Sequence, residues 1–160
     1  MTKASIILRF AAVLALLQGI AHGILHISYS PNHGPVEQAL VSNMKVESFK
    51  FGGFERTYWG FYFGYGLMVV LTCLVQAVAI WVLARMAACH SREVGPLVAL
   101  YALAYASHGW LAWHYFFLKP VLFDVLIAAA LSIAAYLAWS DLENANRGRS
   151  KAHEDLAASK

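Results

Sequence analysis

Residues 58–84 read YWGFYFGYGLMVVLTCLVQAVAIWVLA, an unbroken stretch without one formally charged side chain. A helix needs roughly 20 apolar residues to cross the hydrocarbon core of a bilayer. Lipid offers no hydrogen-bonding partner to a bare peptide group, so such a run crosses as a helix. Three stretches of the same character flank it, at 10–27, 96–118 and 121–139, and Asp124 is the only charged residue within the four. The sequence therefore predicts an all-α, four-helix transmembrane bundle over residues 1–140, followed by a polar tail at 141–160.

Composition points the same way. The chain has 160 residues, enough for one domain, with 60% hydrophobic and 13% charged residues; a soluble domain is nearer half apolar and a quarter charged. Net charge is +3, and no basic block is interleaved with aromatics. Nucleic acid is excluded as a partner on that ground. Cys73 lies mid-way along an apolar run and Cys89 in a connector, so the two read as small apolar residues, neither a disulfide nor a metal pair.

Orientation follows from the lysines and arginines. Lys3, Arg9, Arg85, Arg92, Arg147, Arg149, Lys151 and Lys160 would share one side, against Lys45, Lys50, Arg56 and Lys119 on the other. Eight against four places both termini in the cytoplasm. Lys3 and Arg9 ahead of an apolar run also suit a signal peptide, but the run continues to Ile27 and carries polar residues at helical spacing, which favours a retained span. The tail, mixed in charge, reads as disordered or as a frayed helix in water.

Residues 28–57 form a long connection, expected to cap the outer end of the bundle. Pro35 suits the first position of a helix and Glu37 its first turn. Val36, Leu40, Val41 and Met44 recur at helical spacing, which predicts a short amphipathic interfacial helix between the first two spans. Phe49, Phe51 and Phe54 follow around the flexible Gly52-Gly53 pair.

Polar side chains inside a membrane are costly, so their placement carries information. Gln18, His22 and His26 lie four apart on one face of the first span, beside a Gly19/Gly23 pair that permits close helix approach. Tyr58, Tyr62, Tyr65, Thr72 and Gln76 form a stripe on the second span, with Gly60 and Gly64 as a second small pair. Tyr101, Tyr105 and His108 share a face of the third; Ser107 and His114 share another. Counted from the span ends, His22, His26, Arg56, Tyr58, Trp59, Tyr62, His108 and His114 converge on the outer third, and these eight are the candidate ligand-binding residues.

Three explanations compete. In the first, histidines and tyrosines satisfy one another across helices, and Trp59, Trp110, Trp113 and Tyr115 form an aromatic belt. In the second, a pocket holds a lipid-like, isoprenoid-like or quinone-like molecule by its polar head. There a histidine relays protons, Glu55 or Asp124 orients it, and Arg56 stabilises negative charge. In the third, His22 or His26 faces His108 or His114 across a haem. His108 and His114 are about 120° apart around a helix, so they cannot share one small ion, and no metal site is expected. The cofactor stays open, as does whether the chain is an enzyme. A structural role in a larger membrane complex or a homo-oligomer is the alternative, with Ala128, Ala129, Ala130, Ala134 and Ala135 as the contact.

No nucleotide loop, zincin motif, nucleophile elbow or Cys-x-x-Cys pair occurs, and no inverted repeat suggests a carrier. The run from Gly53 to Leu67, GFERTYWGFYFGYGL, resembles a signature of small uncharacterised bacterial four-span membrane proteins. Gly34-Pro35 before an amphipathic segment and Trp113-His114-Tyr115-Phe116-Phe117 are further points of resemblance. The resemblance implies the fold, the bacterial inner membrane, and Arg56, Tyr58 and Trp59 as the cluster opening the second span. It implies no activity, and His22, His26 and His108 gain nothing from it.

Overall fold

The computed structural model describes the backbone of residues 2–158, and their side chains except at 91, 92 and 141–158. It is mostly helical: α1 (Lys3–Ile27), α2 (Pro35–Val46), α3 (Tyr58–Met86), α4 (Ser91–Tyr115) and α5 (Leu118–Ala158). Between α2 and α3 runs a two-stranded antiparallel sheet of β1 (Ser48–Phe51) and β2 (Phe54–Thr57), an element missing from the all-α expectation. Three helical stretches are long and apolar enough to cross a membrane: Lys3–Ile27, Tyr58–Met86 and Leu118–Ser140. Helix α4 has 25 residues, but Pro96, Tyr101, Tyr105, Ser107 and His108 dilute its apolar character.

The helices outrun the apolar stretches that announced them. α1 starts at Lys3 because α3 satisfies its polar first turns. Ser5, fully buried, donates its hydroxyl to the Ala84 carbonyl at 2.7 Å, and the Arg9 guanidinium lies 5.5 Å from the Trp81 ring centroid. The break between α4 and α5 falls at Phe116–Phe117, ahead of Lys119-Pro120. Pro120 is then in the first turn of α5, where a missing N–H leaves no helical bond unmade. α5 carries a helical backbone through the polar tail to Ala158; the tail's side chains lie outside the described residues.

The chain divides into two compact units, Met1–Ala15 with Gln76–Lys160, and Leu16–Val75. In the first, Leu8, Ile80, Val94, Val98, Ile127 and Leu131 form a core drawn from α1, α3, α4 and α5. Ala130 and Ala134 belong to that core, and Ala128 and Ala135 pack against it. Most of the alanine face expected to meet another subunit is thus covered by the chain itself.

In the second unit, α1 and α3 run antiparallel with glycine at the points of closest approach. A methyl group on Gly19 would stand 2.9 Å from Cys73 Cβ, and one on Gly23 would lie 3.5 Å from Val70. Of the first predicted small pair, Gly19 therefore makes the close approach that its spacing implied, and Gly23 only an ordinary contact. The second pair does not make it, since a methyl on Gly64 would meet nothing within 4 Å and the close approach on α3 falls at Gly66. Helix α2 starts at Pro35, with Glu37 in its first turn. It buries only Val41 and leaves Val36 and Leu40 exposed.

The hairpin follows from Gly52-Gly53. Both glycines have positive φ, +57° and +84°, as a two-residue turn matched to strand twist requires. The register pairs Ser48 with Thr57, Phe49 with Arg56, Lys50 with Glu55 and Phe51 with Phe54. Side chains alternate across a strand, so Phe49, Phe51, Phe54 and Arg56 share one face and Ser48, Lys50, Glu55 and Thr57 the other. The Tyr58 N–H donates to the Glu47 carbonyl at 3.2 Å, closing the hairpin's base.

Candidate functional site

Of the eight candidate residues, His22, His26, Arg56, Tyr58, Trp59 and Tyr62 belong to the unit Leu16–Val75, and His108 and His114 to the other. Each unit carries its own constellation.

In the first constellation, His26 is buried where α1 meets α3. Its Nε2 lies 3.0 Å from the Phe63 carbonyl oxygen. A carbonyl only accepts, so Nε2 carries the proton and donates. The ring occupies the space over Gly66, where any β-carbon would overlap it. It stacks on Phe63 (5.0 Å between centroids, 20° between planes) and on His22 (5.6 Å, 11°), and Tyr62 leans against it at 5.4 Å. Tyr62 passes the contact to Trp59 at 5.6 Å, and Trp59 to Tyr29 at 5.9 Å. Lys45 of α2 places its ammonium 5.1 Å from the Trp59 ring centroid. Four of the expected residues thus form a run of contacting rings.

That run ends in a polar knot. The Tyr29 hydroxyl donates to Glu37 at 2.6 Å, while the His33 N–H and Nδ1 approach the same carboxylate at 2.6 and 3.0 Å. The hydrogen bond from Tyr29, seconded by those from His33, holds the Glu37 carboxyl down at about 2. The same bond to the carboxylate pushes the Tyr29 hydroxyl up to about 12. Glu37 reaches back past Gly34 to a backbone N–H ahead of the helix, as the acidic member of a capping box does. The spacing His33-Gly34-Pro35-Val36-Glu37 held that signal; the partner Tyr29 had none, since the chain must fold back to bring it there.

Arg56 and Tyr58 lie apart from these rings. Arg56 sits on the aromatic face of the hairpin, its Nη1 donating to the Glu55 carbonyl at 2.7 Å and its guanidinium 5.3 Å from the Phe54 ring centroid. Tyr58 packs on Phe49 at 4.9 Å. Glu55, one expected orienter of a histidine, accepts from Ser48 at 2.8 Å and pairs with Lys50 at 3.9 Å on the opposite face.

The second constellation joins α4 and α5. His108 Nδ1 lies 2.9 Å from Asp124 Oδ2, with Asp124 wholly buried and His108 about half exposed. An ionised carboxylate only accepts, so Nδ1 carries a proton and donates. Gly109 lets the helices close over this bond: a methyl there would stand 3.2 Å from Asp124 Cβ. An open groove of about 580 Å³ between α4 and α5 is lined by Gly109, Trp110, Trp113, His114, Val121 and Val125, among others, with His108 and Asp124 outside its lining. His114 Nδ1 meets the Trp110 carbonyl at 2.9 Å and its ring packs edge-on against Trp110. The two histidines serve different partners, as their angular separation implied. Among the described residues no three His, Cys, Asp or Glu side chains gather as a metal site.

Compared with known proteins, the chain is matched by no protein-family model, no curated protein and no solved structure.

Proposed function

We propose that this chain is a four-span protein of the bacterial inner membrane, with α4 as the remaining span and both termini cytoplasmic, that binds a lipid-like small molecule in the α4–α5 groove. Membership of the small bacterial four-span group that the Arg56-Thr57-Tyr58-Trp59 run resembles is part of the proposal. So is an interfacial position for α2, which its exposed Val36 and Leu40 support.

The observation that carries the reading is the α4–α5 groove with His114 in its wall. The two helices that form it are tied by the 2.9 Å bond between His108 and the wholly buried Asp124. His114 lines that groove, and with its Nδ1 proton given to the Trp110 carbonyl it has Nε2 left for a hydroxyl or a similar polar head. Trp110, Trp113, Val121 and Val125 supply the apolar walls for its tail.

The test is mass spectrometry of the full chain released from mild detergent, with small molecules extracted and identified. Wild type carries an amphipathic molecule; His114→Ala, in the groove wall, loses it, while Tyr136→Phe, on an exposed part of α5, keeps it. Wild type that arrives empty, or empty and bound to another polypeptide, defeats the reading in favour of an accessory subunit. A Soret band in the purified protein defeats it in favour of haem.

A further inference from the structure

We propose that the hairpin β1–β2 and the first turn of α3 form a binding site for a phospholipid headgroup, with Arg56 taking the phosphate. The proposal rests on the chain's residence in a membrane and is independent of the α4–α5 groove.

The hairpin is amphipathic in an unusual sense. Its pairing puts three phenylalanines and a single cation on one face, with all the remaining polar residues on the other. Phe51 is 81% exposed and Phe54 64%, so the aromatic face is open where the strands turn. Together with Phe49, Arg56 and Phe61 these two rings line a groove of about 250 Å³. Among the described residues no carboxylate pairs with Arg56, and Glu55 is engaged on the far face by Ser48 and Lys50. A guanidinium that lies on an aromatic ring and spends one Nη1 bond on the Glu55 carbonyl keeps further donors for a planar or tetrahedral oxyanion.

What surrounds the groove identifies the anion's source. Phe49 contacts Phe61 edge-on at 5.6 Å, and Phe61 contacts Tyr65 at 5.0 Å. Below them on the same face of α3, Met68 and Val75 are exposed. Thr72, also on that face, turns its hydroxyl back onto the Met68 carbonyl at 2.8 Å, as a hydroxyl facing hydrocarbon does. The groove therefore opens at its lower edge onto a surface suited to acyl chains, and at its upper edge presents a cation. A phosphate that arrives with its own hydrocarbon fits both; free phosphate fits only the second.

The full chain is delipidated in detergent, mixed with phosphatidylglycerol or phosphatidylcholine, and bound lipid is counted by native mass spectrometry. Wild type retains one phosphatidylglycerol ahead of phosphatidylcholine. Arg56→Gln loses about tenfold in affinity, the worth of one charge-assisted hydrogen bond, with unchanged thermal unfolding because the side chain is exposed. Lys50→Gln on the opposite face binds as wild type, and inorganic phosphate does not compete at matched concentration. Equal losses for Arg56→Gln and Lys50→Gln overturn the proposal by showing net charge alone. Competition by inorganic phosphate overturns the lipid assignment, and unchanged binding by Arg56→Gln overturns the site. His114→Ala leaves this binding intact, which separates failure here from failure of the α4–α5 reading.

Discussion

Gly66→Ala against Gly64→Ala is a comparison in which the same change, two residues apart on one helix, has opposite outcomes. A β-carbon at 66 would overlap Nε2, Cε1 and Cδ2 of His26. No adjustment of a few tenths of an ångström relieves that overlap, so the imidazole must swing out of its seat. Leaving it gives up the bond to the Phe63 carbonyl, worth about 1 kcal/mol net, and the stacking on Phe63 and His22, together about 1 kcal/mol. Repacking around the displaced ring costs about 1 kcal/mol more. Alanine offsets roughly 1 kcal/mol of this through its higher helix propensity. The balance is a destabilisation of about 2 kcal/mol. At Gly64 the added methyl meets nothing within 4 Å, leaving only the propensity gain of at most about 1 kcal/mol. Equilibrium unfolding in mixed micelles, followed by tryptophan fluorescence, reads both variants. In the His26→Ala background the penalty at 66 disappears, since the obstructing ring is gone. Equal stability of the two glycine variants, or a penalty at 66 that survives removal of His26, would refute the packing argument.

Further predictions concern the segment between α1 and α3. Glu37 is held at about 2 against an ordinary 4.5, so its contribution to stability is full above pH 4.5 and disappears as pH falls toward 2; Glu37→Gln flattens that acid limb in an unfolding titration. Tyr29, raised from 10.0 to about 12, contributes fully below pH 10 and progressively less up to pH 12, a limb that Tyr29→Phe abolishes. Both changes speed amide exchange in the first turn of α2, and unchanged exchange rates count against the Tyr29–Glu37–His33 knot. In the turn, Gly53→Val forces a β-branched residue to φ +84° and destabilises the hairpin by about 1–2 kcal/mol. Gly52→Asn at φ +57° is tolerated, because asparagine adopts that conformation. Hairpin amide exchange ranks the two, and the reverse order contradicts the turn assignment.

Much of the helical fold was legible because it depends on local properties. An uncharged run such as 58–84 has only one good conformation in lipid, and Pro35 with Glu37 marks the start of α2 without reference to any other element. The hairpin was legible in principle: Gly52-Gly53 with aromatic and polar residues alternating outside it is a turn signal. The three phenylalanines read by themselves suggested only a flexible cap. Helix ends were misjudged where hydropathy stood in for helicity, as at Lys3 and Pro120. Of the candidate site, Trp59, Tyr62, His22 and His26 were recognisable from a shared face. The partnership of His26 with Gly66 was not, since it depends on which residues of α1 and α3 come opposite one another. Likewise Arg56 was grouped with the histidines by depth along the chain, which cannot reveal the direction in which a strand points its side chain.

The join between the hairpin and its neighbours has a mechanical consequence. Strand pairing runs to Thr57 and helix to Tyr58, and on the other side only Glu47 separates α2 from β1. The bond between Glu47 and Tyr58 extends the ladder across that gap. No residue is left over to act as a swivel, so the ribbon is a handle fixed to the end of α3. A push on the phenylalanine-bearing tip is therefore carried into the first turn of α3 instead of being absorbed at a joint.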